Sequence, residues 1–147
     1  MKLKIAWIGK TKEPAIRALT EEYLARIARY ADVEGVQLSD EAALLKLRER
    51  SGNRPAHTLV VVDPKGKQLS SEEFAQFLQT HQERNPQPMV LAIGPADGFS
   101  DAARTAAKTS ISLGKMTLAH ELARIVVLEQ VYRAFTILQG HPYHTGH

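Results

Sequence analysis

The sequence predicts an α/β domain with a mainly parallel sheet and helices on both faces. Short apolar segments alternate along the chain with segments whose apolar residues recur at helical spacing. Residues 58–62 (TLVVV) form an unbroken apolar run rich in β-branched side chains, which is typical of a strand covered on both faces. Strands that alternate with helices favour parallel pairing. Because no linker, repeat or low-complexity tract interrupts the pattern, residues 1–147 are predicted to form one domain.

The first third of the chain is predicted to hold two strands and two helices. Leu3 to Ile8 is a short apolar run and forms the first strand. A helix follows from Pro14 to Tyr30, because proline suits a first helical turn and the apolar residues after it recur at helical spacing. Residues 33–38 predict the second strand. Residues 40–50 predict a helix with Asp40 as its N-cap.

The strand over residues 58–62 is followed by the turn-forming residues Asp63 to Gly66. Ser70 and Glu73 then have the spacing of a capping box, which predicts a helix that continues to about Gln82.

The remaining strands and helices follow in the same alternation. Residues 89–93 predict a fourth strand, residues 100–108 a helix with small alanines, and residues 111–113 a brief fifth strand. In a parallel sheet of this kind, ligands bind at the carboxyl ends of the strands.

Composition excludes several classes of protein. There is no cysteine, so disulfides and thiolate metal sites are excluded. No segment approaches the roughly 20 apolar residues of a membrane span, and the apolar run Ile5 to Ile8 is too short for a signal peptide. A cytoplasmic protein is therefore expected. The net charge of +3 permits a nucleic-acid partner without requiring one.

Two local patterns each allow a functional and a structural interpretation. The loop Gly94 to Gly98 could let a ligand approach the backbone, or its glycines could serve only the turn between a strand and a helix. His141, His144 and His147 recur every third residue, but without partnering cysteines this spacing matches metal-ligand patterns poorly. No metal site is predicted.

The last helix, predicted to begin soon after Leu118, is apolar on almost every side. Such a helix must be buried on several faces. One sheet face cannot easily cover it, which favours packing against a second copy of the chain over a central position in a monomer. Glu129 and Arg133 lie four residues apart and can form an ion pair.

The C-terminal residues resemble a known enzyme family. The resemblance rests on Lys115-Met116-Thr117, His120, residues 129–134 (EQVYRA) and Pro142-Tyr143-His144. Together they resemble the RlmH family, SPOUT-class methyltransferases that methylate N3 of a pseudouridine in helix 69 of 23S rRNA. The opening MKLKIAWIGK and the VDPKGK segment resemble the same family more weakly.

The resemblance implies a fold, a cofactor and a partner. It implies a C-terminal trefoil knot, a homodimer and S-adenosylmethionine bound in the knot. The cofactor residues that it implies are Val62, Gly94, Leu113, Gly114, Lys115, Met116, Thr117 and Leu118. The chain departs from the family pattern at Pro95 (often glycine), Gly114 (commonly serine) and Ala119 (usually proline).

The chemistry that the resemblance implies requires a proton to leave N3 of the target base before or during methyl transfer. His144 is the candidate base, since histidine titrates near neutral pH. Tyr143 could stack on the RNA base, and Arg124 or Arg133 could hold a phosphate or a carboxylate, although an ion pair within the protein is an equal alternative for each arginine. Two other functions stay open: a SPOUT methyltransferase acting on another RNA such as a tRNA, and a non-catalytic RNA-binding or ribosome-assembly protein.

Overall fold

The computed structural model describes residues 1–95 and 97–146, with five strands alternating with five helices along these residues. The strands are β1 (Lys2–Ile8), β2 (Asp32–Leu38), β3 (Thr58–Gln68), β4 (Met89–Ile93) and β5 (Thr109–Ser112). The helices are α1 (Pro14–Ile27), α2 (Glu41–Lys46), α3 (Ser71–Arg84), α4 (Asp101–Ala106) and α5 (His120–Leu138). The predicted alternation of strands and helices is confirmed.

The strands form one parallel sheet in the order β2-β1-β4-β3-β5. One core lies between the sheet and α1, α3 and α5, where Ile5, Leu91 and Leu128 are fully or almost fully buried. A second core lies on the opposite face under α2 and α4, around Leu44 and Val61. The α/β class with helices on both faces of a parallel sheet is therefore confirmed.

The predicted helix starts agree with the structure. The Asp40 carboxylate accepts a hydrogen bond of 2.9 Å from the backbone N–H of Ala43. Ser70 and Glu73 form the full capping box: Glu73 N–H donates to Ser70 Oγ at 3.0 Å, and Ser70 N–H donates to Glu73 Oε1 at 2.8 Å. These contacts satisfy backbone donors that the first helical turn leaves unpaired.

Three helices are shorter than predicted. α1 ends at Ile27 rather than Tyr30, α2 at Lys46 rather than Arg50, and α4 at Ala106 rather than Lys108. Beyond α1 and α2 the backbone N–H groups donate to carbonyls three residues back, such as Tyr30 N–H to Ile27 O at 2.8 Å. Apolar spacing does not distinguish such a tightened last turn from continued α-helix.

The prediction of a turn at Asp63 to Gly66 was wrong, because β3 continues through these residues to Gln68. Val62 and Lys67 both pair with Ile111 of β5, so the residues between them form an irregularity in the strand. Gly66 makes this possible: a Cβ at its position would lie 2.5 Å from the carbonyl carbon of Ser110. The turn-forming residues thus bend a strand rather than end it.

The burial of α5 is provided largely within the chain. The helix packs against α1, α3 and β4, and its residues Val127, Leu128 and Val131 are at most 3% exposed. The expectation that a second copy is needed to cover the helix was therefore wrong for most of its length. Exposed apolar side chains remain near its N-terminal end, where Leu122 is 53% and Leu118 40% exposed.

Candidate functional site

A cavity of about 250 Å³ lies where β4, β5 and the regular part of β3 (Thr58 to Val62) end. Because the three strands are parallel neighbours, their carboxyl ends meet at one edge of the sheet. We call this the loop cavity. It is lined by Val62, Asp63, Pro64, Ile93, Gly94, Pro95, Asp97, Gly98, Leu113, Gly114, Met116, Thr117, Leu118, His120 and Ala123.

Seven of the eight residues that the sequence analysis assigned to a cofactor line this cavity, namely Val62, Gly94, Leu113, Gly114, Met116, Thr117 and Leu118. Lys115 belongs to the same loop and is exposed, but its side chain is not part of the lining. These residues come from three strand ends far apart in sequence, and the fold brings them together.

Two glycines shape the cavity wall. A Cβ at Gly94 would lie 2.9 Å from Cε2 of Phe99, so the absence of a side chain lets the aromatic ring pack on the backbone. Gly114 has φ +127°, a region that residues with side chains rarely adopt. Ser112 fixes this bend, since its hydroxyl accepts from Gly114 N–H at 3.1 Å and donates to Gly114 C=O at 3.0 Å.

Asp63 also lines the loop cavity and is 2% exposed, a role that its local sequence does not predict. Its Oδ1 accepts from Lys65 N–H at 2.9 Å, and its Oδ2 lies 3.2 Å from Nη1 of Arg104. Arg104 also donates to the carbonyl of Phe99 and pairs with Asp101. Its position directly after Val62, a predicted cofactor residue, could have indicated a place in the cavity wall. Residues 63–66 were instead interpreted as a turn outside the site.

A second cavity of about 320 Å³ lies between α3 and α5, and we call it the α3–α5 cavity. It shares Val62 and Leu113 with the loop cavity. Among its polar lining residues, Ser71 donates to Gln130 Oε1 at 2.7 Å. Gln130 in turn donates to Glu129 Oε1 at 3.0 Å, which links this cavity to the C-terminal residues.

Tyr143 and His144 line neither cavity, so the chain does not place them with the predicted cofactor residues. They belong to a polar cluster against α3 and α5, which we call the C-terminal cluster. It consists of Glu72, Glu129, Arg133, Tyr143 and His144. The predicted pair of Glu129 and Arg133 is confirmed, with 2.8 Å between Oε2 and Nη2.

His144 is held on both ring nitrogens. Its Nδ1 lies 3.0 Å from Nη1 of Arg133, and its Nε2 lies 2.7 Å from Oε1 of Glu72. A neutral ring with its proton on Nε2 satisfies both contacts, donating to the carboxylate and accepting from the guanidinium. The hydrogen bond from its own backbone and the one from His144 hold the pKa of Glu72 below its usual range.

Tyr143 keeps its proton at neutral pH. Burial and the Glu129 carboxylate, whose Oε2 lies 2.6 Å from the hydroxyl, both raise the pKa of Tyr143. The phenol therefore acts here as a hydrogen-bond donor, and it cannot serve as a general base.

Arg124 is buried, with 2% exposure, between α1 and β1. Its guanidinium lies 4.2 Å from the ring centre of Trp7, and Nη1 donates to the hydroxyl of Thr20 at 3.3 Å. Burial lowers the pKa of Arg124. Glu121, one turn earlier on α5, does not pair with it, because the Glu121 carboxylate accepts from the backbone N–H of Lys12 at 3.0 Å. In this position the arginine is inaccessible to a phosphate.

Neither a metal site nor a membrane span is found within residues 1–95 and 97–146. No group of three or more histidine, aspartate or glutamate side chains there could hold a metal ion. His147, the last member of the histidine series, lies outside the described residues. None of the helices over these residues is long and apolar enough to cross a membrane.

The fold and the loop cavity define the class of protein. The family described as "Predicted SPOUT methyltransferase" matches residues 1–144. The chain belongs to this SPOUT methyltransferase family, as the resemblance in the C-terminal residues predicted.

Within that family, the chain is most informatively compared with proteins named ribosomal RNA large subunit methyltransferase H. It is 54% identical to the one from Koribacter versatilis (strain Ellin345) over 147 residues, with all of both chains covered. It is 45% identical to the one from Geotalea daltonii, covering 98% of this chain and 99% of that protein. The resemblance to the RlmH family is thereby confirmed.

A solved structure supports the fold independently. The SpoU methyltransferase AviRb from Streptomyces viridochromogenes, crystallised in complex with the cofactor AdoMet, superposes with a TM-score of 0.55 at 18% identity. The match covers 90% of this chain and 57% of that one. At this identity the similarity establishes the α/β architecture alone.

Proposed function

We propose that this protein transfers a methyl group from S-adenosylmethionine to large-subunit ribosomal RNA. The observation that carries the proposal is the loop cavity, because residues chosen from sequence resemblance alone converge on it from three strand ends. Full-length identity of 54% to a large-subunit rRNA methyltransferase supports the substrate class. At finer detail, the resemblance to the RlmH family supports N3 of a pseudouridine in helix 69 of 23S rRNA as the target.

The chemistry of the loop cavity fits S-adenosylmethionine. Val62, Ile93, Leu113 and Leu118 offer apolar surface for a flat purine ring. None of the described backbone–backbone hydrogen bonds involves residues 115–118, so their N–H and C=O groups can bind the polar edges of a ligand. The bound cofactor would supply the electrophilic methyl group, and the protein supplies binding and orientation.

We propose His144 as the group that takes the proton from N3, with Tyr143 and Arg133 holding the histidine in place. Nδ1 of His144 contacts Arg133, and Nε2 contacts Glu72. In the tautomer with its proton on Nε2, the free lone pair is on Nδ1, so Nδ1 must exchange its contact with Arg133 for the N3–H of the target base before it can accept that proton. Nε2 keeps its hydrogen bond to Glu72, whose carboxylate would stabilise the imidazolium that forms. For Arg124, burial beside Trp7 supports a structural role rather than a contact with substrate.

The oligomeric state and the threading of the chain are part of the same proposal. Leu19, Leu118 and Leu122 are 38–53% exposed, and Met116 is 86% exposed, which supports a homodimer contact near the start of α5. α5 follows the edge strand β5 and returns over the sheet between α1 and α3, which supports the trefoil knot. We propose that residues 1–147 work as one SPOUT methyltransferase domain in the cytoplasm.

Methyl-transfer assays test the proposal directly. Purified protein is incubated with methyl-labelled S-adenosylmethionine and, in parallel, with ribosomes, large subunits and total tRNA that lack the modification. Label in 23S rRNA, mapped by mass spectrometry to one pseudouridine, is the expected result. Label in tRNA alone would show that a tRNA, rather than 23S rRNA, is the substrate. Calorimetry that detects no binding of S-adenosylmethionine would favour the non-catalytic RNA-binding function.

The role of His144 requires its own measurement. His144→Ala is expected to lower kcat by about 100-fold, within the range of general base catalysis, and to remove one limb of the pH–rate profile. Unchanged turnover across pH would exclude His144 as the base.

A further inference from the structure

Arg104 on α4 joins two of the segments that form the loop cavity. Its Nη1 lies 3.2 Å from Oδ2 of Asp63, at the cavity end of the regular part of β3. The same Nη1 donates to the carbonyl oxygen of Phe99, in the loop after β4. Since the Phe99 ring packs directly against Gly94, this guanidinium sets the spacing between two walls of the cavity.

The Asp63 carboxylate depends on this arginine. It is 2% exposed, and among its described contacts Arg104 is the one cation that neutralises it. A hydrogen bond between two charged groups is stronger than a neutral one, and removing one partner leaves a buried charge uncompensated. The other carboxylate oxygen holds Lys65 N–H at 2.9 Å, so movement of Asp63 would also shift the irregular part of β3.

The second carboxylate on Arg104 lies in a different environment. Asp101 pairs with Nη2, but its side chain is 93% exposed. Hydrogen bonding to Arg104 lowers the pKa of Asp101. Exposed ion pairs contribute little to stability. The Arg104 guanidinium therefore pairs with two carboxylates: that of Asp63, buried in the cavity wall, and that of Asp101, exposed to solvent outside the cavity.

The loop after β4 is held at its far end without Arg104. The Ser100 N–H donates to Glu41 Oε2 at 2.9 Å, and the Ser100 hydroxyl donates to Glu41 Oε1 at 2.6 Å. Loss of the arginine side chain would thus loosen the cavity wall while the loop stays attached to α2. This separates a change in the cavity from general unfolding.

We propose that Arg104 is a positioning residue for the cofactor, which holds Asp63 and the loop after β4 at the separation that S-adenosylmethionine requires. This inference rests on the proposed function, since it concerns the cofactor cavity of a methyltransferase. Arg104 acts through Asp63 and Phe99, and it contacts neither the methyl donor nor the RNA. Its removal therefore weakens cofactor binding specifically.

Four variants test the inference by calorimetry with S-adenosylmethionine and by steady-state kinetics. Arg104→Gln is expected to raise the Kd and the KM for the cofactor about tenfold or more, as for loss of a hydrogen bond between charged groups. The KM for ribosomes should stay unchanged, and kcat should change less than twofold. Arg104→Lys keeps the positive charge but lacks the planar guanidinium with its several N–H donors. It should recover part of the affinity for S-adenosylmethionine. Asp101→Asn and the exposed Arg50→Gln are matched controls, expected to change the Kd less than twofold.

The possible outcomes separate the two claims. If wild-type protein does not bind S-adenosylmethionine, the proposed function fails and this inference fails with it. If the wild type binds and Arg104→Gln binds equally well, the inference alone is overturned. An Arg104→Gln variant whose two KM values and kcat all worsen together, with a lowered melting temperature and no recovery by Arg104→Lys, would show a general structural role and would also overturn it.

Discussion

The hydroxyl of Tyr143 donates a hydrogen bond of 2.6 Å to Oε2 of Glu129, fourteen positions earlier in the chain. The same carboxylate receives Nη2 of Arg133 at 2.8 Å, and the Tyr143 ring meets Tyr132 edge-on at 4.8 Å. These contacts bind the C-terminal residues to the middle of α5. The tail is therefore part of the folded structure, and the position of His144 follows from that of its neighbour.

Replacing Tyr143 by phenylalanine tests this attachment. Tyr143→Phe keeps the ring but removes a hydrogen bond to a carboxylate, so unfolding should require about 1–2 kcal/mol less free energy. The measurement is urea unfolding at pH 7. Tyr30→Phe is the matched control: the Tyr30 ring stacks on Phe135 at 6.1 Å, and loss of its hydroxyl should cost less than about 0.5 kcal/mol. Equal losses in the two variants would contradict the role of the Tyr143–Glu129 bond.

The Glu129 carboxyl predicts a pH dependence of stability. Burial opposes its ionisation, but hydrogen bonds from Arg133 and Tyr143 outweigh this and hold the pKa of Glu129 below its ordinary value of 4.5. Because the folded-state pKa is the lower one, the carboxylate stabilises the fold at all pH values above 4.5, and this stabilisation is lost as the pH falls through the folded-state pKa. The free energy of unfolding should therefore fall as the pH drops below about 5.

Glu129→Gln isolates this contribution. The variant should be less stable than the wild type at pH 7, and its stability should fall less steeply below pH 5, because the group that takes up a proton is gone. Glu22→Gln serves as the control, since Glu22 forms an exposed pair with Arg26 at 3.4 Å. A pH profile for Glu129→Gln parallel to that of the wild type would refute the assignment.

Much of the fold was predictable because its signals are local. The capping box of Ser70 and Glu73 and the N-cap Asp40 act within four residues, and the structure contains both. The uninterrupted apolar run of β3 correctly indicated a strand buried on both faces. Caps of this kind depend on residues within one helical turn, so the sequence alone is enough to predict them.

The missed features depend on partners that are distant in sequence. By local chemistry Asp63 is a turn-forming residue. Its buried position in the cavity wall depends on an ion pair with Arg104, 41 positions later. The cover of α5 comes from α1 and α3, which apolar periodicity cannot assign to one chain or to two. His144 is placed by Glu72, on a helix 72 positions earlier. The cofactor residues were found through family resemblance, since spacing alone could not connect three strand ends.

The close approach of β3 and β5 at Gly66 predicts a position that does not accept a side chain. A Cβ there would lie 2.5 Å from the carbonyl carbon of Ser110 and 2.6 Å from Ile111 N, both backbone atoms that cannot turn away. Gly66→Ala should cost about 1–3 kcal/mol, as overpacking does. It should also weaken cofactor binding, because β5 leads directly into the loop at Leu113.

Gly146→Ala is the control for that variant. The nearest atom to a Cβ at Gly146 is Pro142 O at 3.7 Å, an ordinary contact, so its stability should change by less than about 0.5 kcal/mol. If Gly66→Ala proves as stable as the wild type in urea unfolding, β3 and β5 can move apart at this position without a cost in free energy.

Gly114 predicts a conflict between backbone conformation and a possible cofactor contact. Its φ of +127° is strained for any residue with a Cβ, although nothing lies within 4 Å of where that Cβ would be. Gly114→Ala and Gly114→Ser should therefore each lower stability by about 1 kcal/mol through the backbone alone. If the serine that the family resemblance implies at this position would contact the cofactor, Gly114→Ser should bind S-adenosylmethionine several-fold more tightly than Gly114→Ala. Because the two variants share the same backbone strain, the difference between their Kd values measures the contribution of the serine hydroxyl to cofactor binding. Equal affinities would show that this chain loses no contact by having glycine here.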